Sequence, residues 1–121
     1  MKRVYDDIYL LDIPLRGNPL KSLNCFIVKT DERNLIVDTG FNTKENQLII
    51  LDSLEKLKID LKKTALFLTH SHSDHTGLAS FLEKRGAKVY MSRFEGELLN
   101  DCLLGDSLQW KQIVVRAMLQ D

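Results

Sequence analysis

Six consecutive residues, His70-Ser71-His72-Ser73-Asp74-His75, hold all three histidines of this chain together with a carboxylate. Neutral imidazole and carboxylate are the nitrogen and oxygen ligands that zinc and similar divalent metals prefer. A spacing of two in extended backbone turns the rings of His70 and His72 to the same side. Asp74 and His75 fall where the chain should turn into a helix, so they address a second position close by. The run reads as half of a two-metal site.

Such a site needs a strand before it and a helix after it. Ala65-Leu66-Phe67-Leu68 is a continuous apolar run, predicted as a central strand buried on both faces, and the histidines follow it directly. Leu78, Phe81 and Leu82 mark a short helix with Gly86 as its C′ residue, and residues 87–91 form the next strand. Upstream, residues 4–11 read as one strand, and Pro14, Gly17, Asn18 and Pro19 as an irregular loop. Residues 25–28 and 35–37 make a hairpin around the polar turn 30–34, closed by Asp38-Thr39-Gly40. A helix beginning near Asn42, with Asn42 as N-cap and Glu45 at N3, carries Leu48, Leu51, Leu54 and Leu57 beside Ile50 as one apolar stripe. Ser92 with Glu95, and Asp106 with Gln109, are further capping-box pairs. The last helix shows Trp110, Ile113, Val114, Ala117 and Met118 on one face. The order predicts an α/β fold with a mixed sheet, one domain over 1–121, and a helical tail over 92–121.

The 121 residues are 44% hydrophobic and 28% charged, the make-up of one small folded domain. Lys plus Arg (17) balances Asp plus Glu (17), so no overall field favours nucleic acid or an anionic membrane, and neither is expected as a partner. Lys56, Lys58, Lys62 and Lys63 read as a solvated helix end and loop. Met1-Lys2-Arg3 is followed by Asp6 and Asp7 rather than by an apolar stretch, which argues against a signal peptide, and no run reaches membrane-span length. Cys25 and Cys102 read as buried or free thiols in a reducing compartment, so the expected location is cytoplasmic.

The pattern His70-x-His72-x-Asp74-His75 after an apolar strand, with Leu35-Ile36-Val37-Asp38-Thr39-Gly40 closing an earlier one, resembles the metallo-β-lactamase superfamily over roughly the first ninety residues. The resemblance implies a four-layer αββα sandwich of two similar halves. This chain would supply the N-terminal half, a mixed β-sheet with helices on the outer face. It implies that His70 and His72 bind a first metal, and that Asp74 and His75 bind a second. Asp38 would orient a ligand from outside the coordination sphere, and Asp74 would also move a proton during catalysis. Zinc is the expected cofactor, one or two ions per complete fold, with iron or manganese as alternatives. The implied chemistry is hydrolysis of an ester, thioester, lactone, β-lactam or phosphoester. From the residues alone, Asp38 reads equally as a cap on the Gly40 turn. Gly77 either permits close packing beneath the motif or starts the helix.

One departure stands out. The family pattern needs two more histidines and a bridging aspartate downstream, yet 46 residues (121 − 75) follow His75 and none is histidine. Asp101, Asp106 and Asp121 fall in or beside expected helices. The expectation is an N-terminal portion of a metal-dependent hydrolase with an incomplete site, inactive or weakly active alone. A missing C-terminal half or a homodimer would complete it. The alternative is a non-catalytic metal-binding or assembly module that retains the fold. A third reading is an iron-dependent oxidoreductase. A lone half would leave an apolar sheet face in water, which two copies would bury about a two-fold axis; the alternative is that the terminal helix bearing Trp110, Ile113, Val114 and Met118 folds back over it or joins the interface.

Overall fold

A computed structural model of the protein describes residues 1–69 and 76–92. The motif at 70–75, and the expected tail helices from 93 onward with Cys102, lie outside these residues.

Among the described residues, six strands form a single sheet in chain order: β1 (Lys2–Tyr5), β2 (Ile8–Pro14), β3 (Ser22–Val28), β4 (Asn34–Val37), β5 (Thr64–Leu68) and β6 (Lys88–Met91). β1 to β4 pair antiparallel, whereas β4–β5 and β5–β6 pair parallel. Parallel neighbours need a crossover, and α1 (Lys44–Lys56) and α2 (Ala79–Glu83) lie in those two connections. Pleating sends alternate residues to opposite faces. Leu11, Ile13, Cys25, Ile27, Ile36, Leu66, Leu68, Val89 and Met91 make up one face of the core. Ile50, Leu54 and Leu57 of the first crossover, with Leu78, Ala79 and Leu82 of the second, close over it.

Among the described residues, no helix covers the other face. Leu10, Phe26, Val37, Phe67 and Tyr90 stand in register across β2 to β6. Phe26 is 38% and Phe67 42% exposed. The apolar run of β5 is therefore covered on the Leu66 and Leu68 side only, because both helices lie over that side.

Four further expectations are corrected. Residues 4–11 are not one strand. Asp6-Asp7 form a tight connection, with Tyr5 paired to Ile8 across it, as short polar side chains favour. The N-cap of α1 is Thr43, in extended conformation, whose Oγ1 accepts the N–H of Asn46 at 3.1 Å. Asn42 accepts from Gln47 Nε2 instead. The buried stripe of α1 runs through Asn46, Ile50, Ser53, Leu54 and Leu57, while Leu48 is 59% exposed. A strict three-residue spacing drifts around a helix of 3.6 residues per turn, so Leu48 and Leu57 cannot both face inward. Gly86 is left-handed at φ 111°, but it follows the Lys84 C-cap by two residues rather than one. No helix of the described residues is long and apolar enough to cross a membrane.

Candidate metal centre

In open α/β sheets, ligands bind beyond the carboxyl ends of the parallel strands. Asp38 directly follows β4 and Thr69 directly follows β5, so both stand at that end. Asp38 adopts a left-handed conformation (φ 63°), which Asp tolerates better than most residues. It is only 5% exposed. Its Oδ1 accepts the Thr69 N–H at 2.8 Å, and its Oδ2 accepts the Thr69 hydroxyl at 2.6 Å. Its own N–H donates to the Phe67 carbonyl at 2.9 Å. Thr69 is the last residue before His70.

The other flank of the motif is held by the neighbouring side chain. Thr39 is fully buried, and its Oγ1 accepts the Leu78 N–H at 3.1 Å. Next to Leu78, a Cβ placed on Gly77 would lie 2.4 Å from the Gly40 carbonyl oxygen, 2.7 Å from the Asn42 nitrogen and 2.8 Å from the Phe41 Cα. Gly77 is thus the close-packing residue that the sequence left open. The chain entering residues 70–75 and the chain leaving them are both fastened to the adjacent pair Asp38-Thr39.

The loop after Asp38 is braced from below. The Asn46 amide is 1% exposed and donates to the carbonyls of Phe41 (3.0 Å) and Pro14 (3.2 Å). Arg16 meets the Glu45 carboxylate through two bonds of 3.1 and 3.2 Å, tying the β2–β3 loop to the start of α1. Burial first, and the nearby Asp38 charge second, push the Cys25 thiol up to about 12. A thiol so far above neutrality is not a nucleophile in the folded protein. The Cys25 peptide should resist iodoacetamide at pH 7.5 and react after denaturation. Folded-state labelling of Cys25 at the rate of an exposed thiol would contradict this. The same shift has a sign for stability. The unfolded thiol ionises near pH 9 and the folded one only near 12, so the unfolded state sheds its proton first and stability declines through that interval.

His70, His72, Asp74 and His75 lie outside the described residues, which contain no other group of three metal-ligating side chains. Of the sequence-predicted site residues, Asp38 is placed, and the group it holds is Thr69. Thr69 and Asn46 carry no signal of their own in the sequence, and Thr39 is marked there only as part of the Asp38-Thr39-Gly40 turn. Thr69 directly precedes His70, and that adjacency is the one signal that could have marked it.

The metallo-β-lactamase superfamily model matches residues 19–113. The chain belongs to that superfamily. The mixed sheet with helices on one face is half of its αββα sandwich. A metallo-β-lactamase family protein from Thermus thermophilus superposes with a TM-score of 0.67 at 29% identity, covering 75% of this chain and 30% of that one. A class B3 di-zinc metallo-β-lactamase from an Alaskan soil metagenome does so with a TM-score of 0.63 at 25% identity, covering 80% and 34%. Ribonuclease J 2 of Staphylococcus aureus is 30% identical over 101 residues, 74% of this chain and 17% of the ribonuclease. The chain thus spans about a sixth of that relative's length. With a ribonuclease among its relatives, a balanced net charge does not exclude nucleic acid from the substrates of this superfamily member.

Proposed function

We propose that this superfamily member is the N-terminal portion of a metal-dependent hydrolase, with His70, His72, Asp74 and His75 as its share of a zinc centre. The observation that carries this reading is the fastening of both flanks of residues 70–75 to Asp38-Thr39 at the carboxyl end of the parallel strands. Three imidazoles and a carboxylate are a donor set suited to zinc, and iron or manganese are the next candidates. A bound metal would supply Lewis acidity and a water of lowered pKa. The chain's own contribution is placement. Asp38 fixes Thr69 and so the start of the ligand run, Thr39 and Gly77 fix its end, and Asp74 is the carboxylate for proton movement.

The isolated 121-residue chain should bind zinc and turn over ester, thioester, lactone or phosphoester substrates weakly, because no histidine follows His75. Binding should weaken below about pH 6, where imidazoles take up protons. Metal affinity measured by competition with a chromogenic chelator decides the matter. An affinity unchanged in His70→Ala, His72→Ala would overturn the assignment. The 30% identity to a ribonuclease favours a phosphodiester as one substrate class to include in the assay.

The open row of Leu10, Phe26, Val37 and Phe67 is where a second sheet would pack, from further chain or from a second copy, leaving the Tyr90 edge of the face uncovered. With that face exposed, the 121-residue chain should self-associate at micromolar concentration by light scattering. Phe67→Glu should return it to monomer. A wild-type chain that stays monomeric would remove the homodimer.

A further inference from the structure

At the opposite end of the sheet from Asp38 and Thr69, positive charge gathers. Arg33, Lys62, Lys63 and Lys88, with Glu32 and Tyr90, line a recess of about 270 Å³. The cations come from separate places in the sequence. Arg33 and Lys63 are brought side by side because Asn34 and Thr64, the residues after them, pair across β4 and β5. Lys88 joins them by pairing with Ala65 across β5 and β6. The Lys62 stem is held down, since its Cγ and backbone lie against Gly86, where an added Cβ would come within 2.9 Å, and its N–H donates to Asp60 Oδ1 at 3.0 Å.

Four cations face one carboxylate here, in a protein whose overall charge is zero. The ion pairs of the described residues lie elsewhere, at Arg3–Asp6, Arg16–Glu45 and Lys56–Asp52. Like charges held together destabilise a fold unless a counter-charge visits them. A guanidinium fork beside ammonium groups is the set that grips phosphate oxygens, and the half-buried Tyr90 adds a ring face and a hydroxyl.

We propose that this recess binds phosphate groups, carried either by a small phosphorylated molecule or by a nucleic acid strand. It is independent of the metal centre, and the test keeps the two apart. The whole chain, in chelator so that no metal contributes, is titrated with inorganic pyrophosphate and separately with a short single-stranded oligoribonucleotide. Backbone amide shifts are followed at Arg33, Lys62, Lys63, Lys88 and Tyr90. The shifts should concentrate at these residues, and Lys63→Ala with Lys88→Ala should weaken binding about tenfold with a melting temperature equal to or above that of the wild type, since like charges are removed. Lys56→Ala, which removes a lysine already paired with Asp52, should leave binding as it was. A strand using two phosphate contacts should lose about sevenfold in affinity between about 50 and about 200 mM salt. Tighter binding of the oligonucleotide identifies a strand as the ligand, and tighter binding of pyrophosphate a small molecule. No shifts at these residues at millimolar ligand, or a double variant that binds as wild type does, would overturn the proposal.

Discussion

Alanine at Gly77 should remove much of the protein's stability. The added methyl would sit 2.4 Å from the Gly40 carbonyl oxygen and under 3 Å from two more backbone atoms of the 41–42 loop. Backbone has no rotamer by which to yield, so either the loop or the turn before α2 must move. Overpacking of a well-filled site costs typically about 1–3 kcal/mol, and three backbone collisions put Gly77→Ala at about 3 kcal/mol or beyond. For a domain of this size that lowers Tm by roughly 12 °C or more. Gly17 is the internal comparison. It is left-handed at φ 79° with no atom within 4 Å of its missing Cβ. Gly17→Ala should therefore show only the backbone penalty, about 1–2 kcal/mol. Urea denaturation of both variants tests the argument. A Gly77→Ala protein within about 1 kcal/mol of wild type would show that the loop gives way freely.

The second large effect is expected at Asp38. Its carboxylate accepts two bonds from Thr69 while only 5% exposed. Hydrogen bonds to charged groups contribute about 1.5–3 kcal/mol each, and a buried donor left without its acceptor costs more than the bond was worth. Asp38→Ala should thus destabilise by about 3 kcal/mol, partly because alanine tolerates the left-handed backbone less well. Asp38→Asn keeps the shape and can still accept the Thr69 N–H, so about 1 kcal/mol is expected. Zinc affinity should separate positioning from mere folding. If Asp38 sets the start of the ligand run, Asp38→Asn should lose about tenfold or more in metal affinity while remaining folded, as groups that orient ligands do. A folded Asp38→Asn protein with wild-type affinity would restrict Asp38 to holding the fold.

What the sequence made readable and what it hid divide along physical lines. Strand β5 before the motif, and the β3–β4 hairpin, rest on contiguous apolar runs, and both were visible. The family was visible in residues 70–75 and in Asp38-Thr39-Gly40. The Asp6-Asp7 connection was missed because residues 4–11 are β-formers on both sides of it. The α1 boundary was off by one residue because Asn42 and Thr43 are both competent caps, and only the backbone angles at Thr43 choose between them. The inward place of Asn46 defies any apolar pattern. Its burial follows from two carbonyls, of Pro14 and Phe41, that need a donor. The bond between Asp38 and Thr69 spans 31 positions, and no local spacing announces it. The exposure of Phe67 depends on which face the helices cover, a tertiary choice that a uniform apolar run leaves undecided.

The sheet's strand order is also the order of synthesis, β1 through β6, each strand hydrogen-bonded to its immediate predecessor. A nascent chain can therefore add strands at one growing edge without waiting for a distant partner. The antiparallel pairs close short loops, so the β1–β4 meander should assemble early. Joining β4 to β5 must close a connection of 26 residues (38 through 63), which costs more chain entropy before any contact rewards it. Asp38 and Thr69 meet only at that step, so the cradle for the ligand run should be among the last parts to form. Pulse-labelled hydrogen exchange during refolding would reveal the sequence of events, with β2 and β3 amides protected before those of β5 and β6. Simultaneous protection throughout the sheet would contradict a stepwise order. On such a path the emerging chain lacks the Asp38–Thr69 contact until most of its sheet exists, so the proposed metal site would take shape only on a nearly complete sheet.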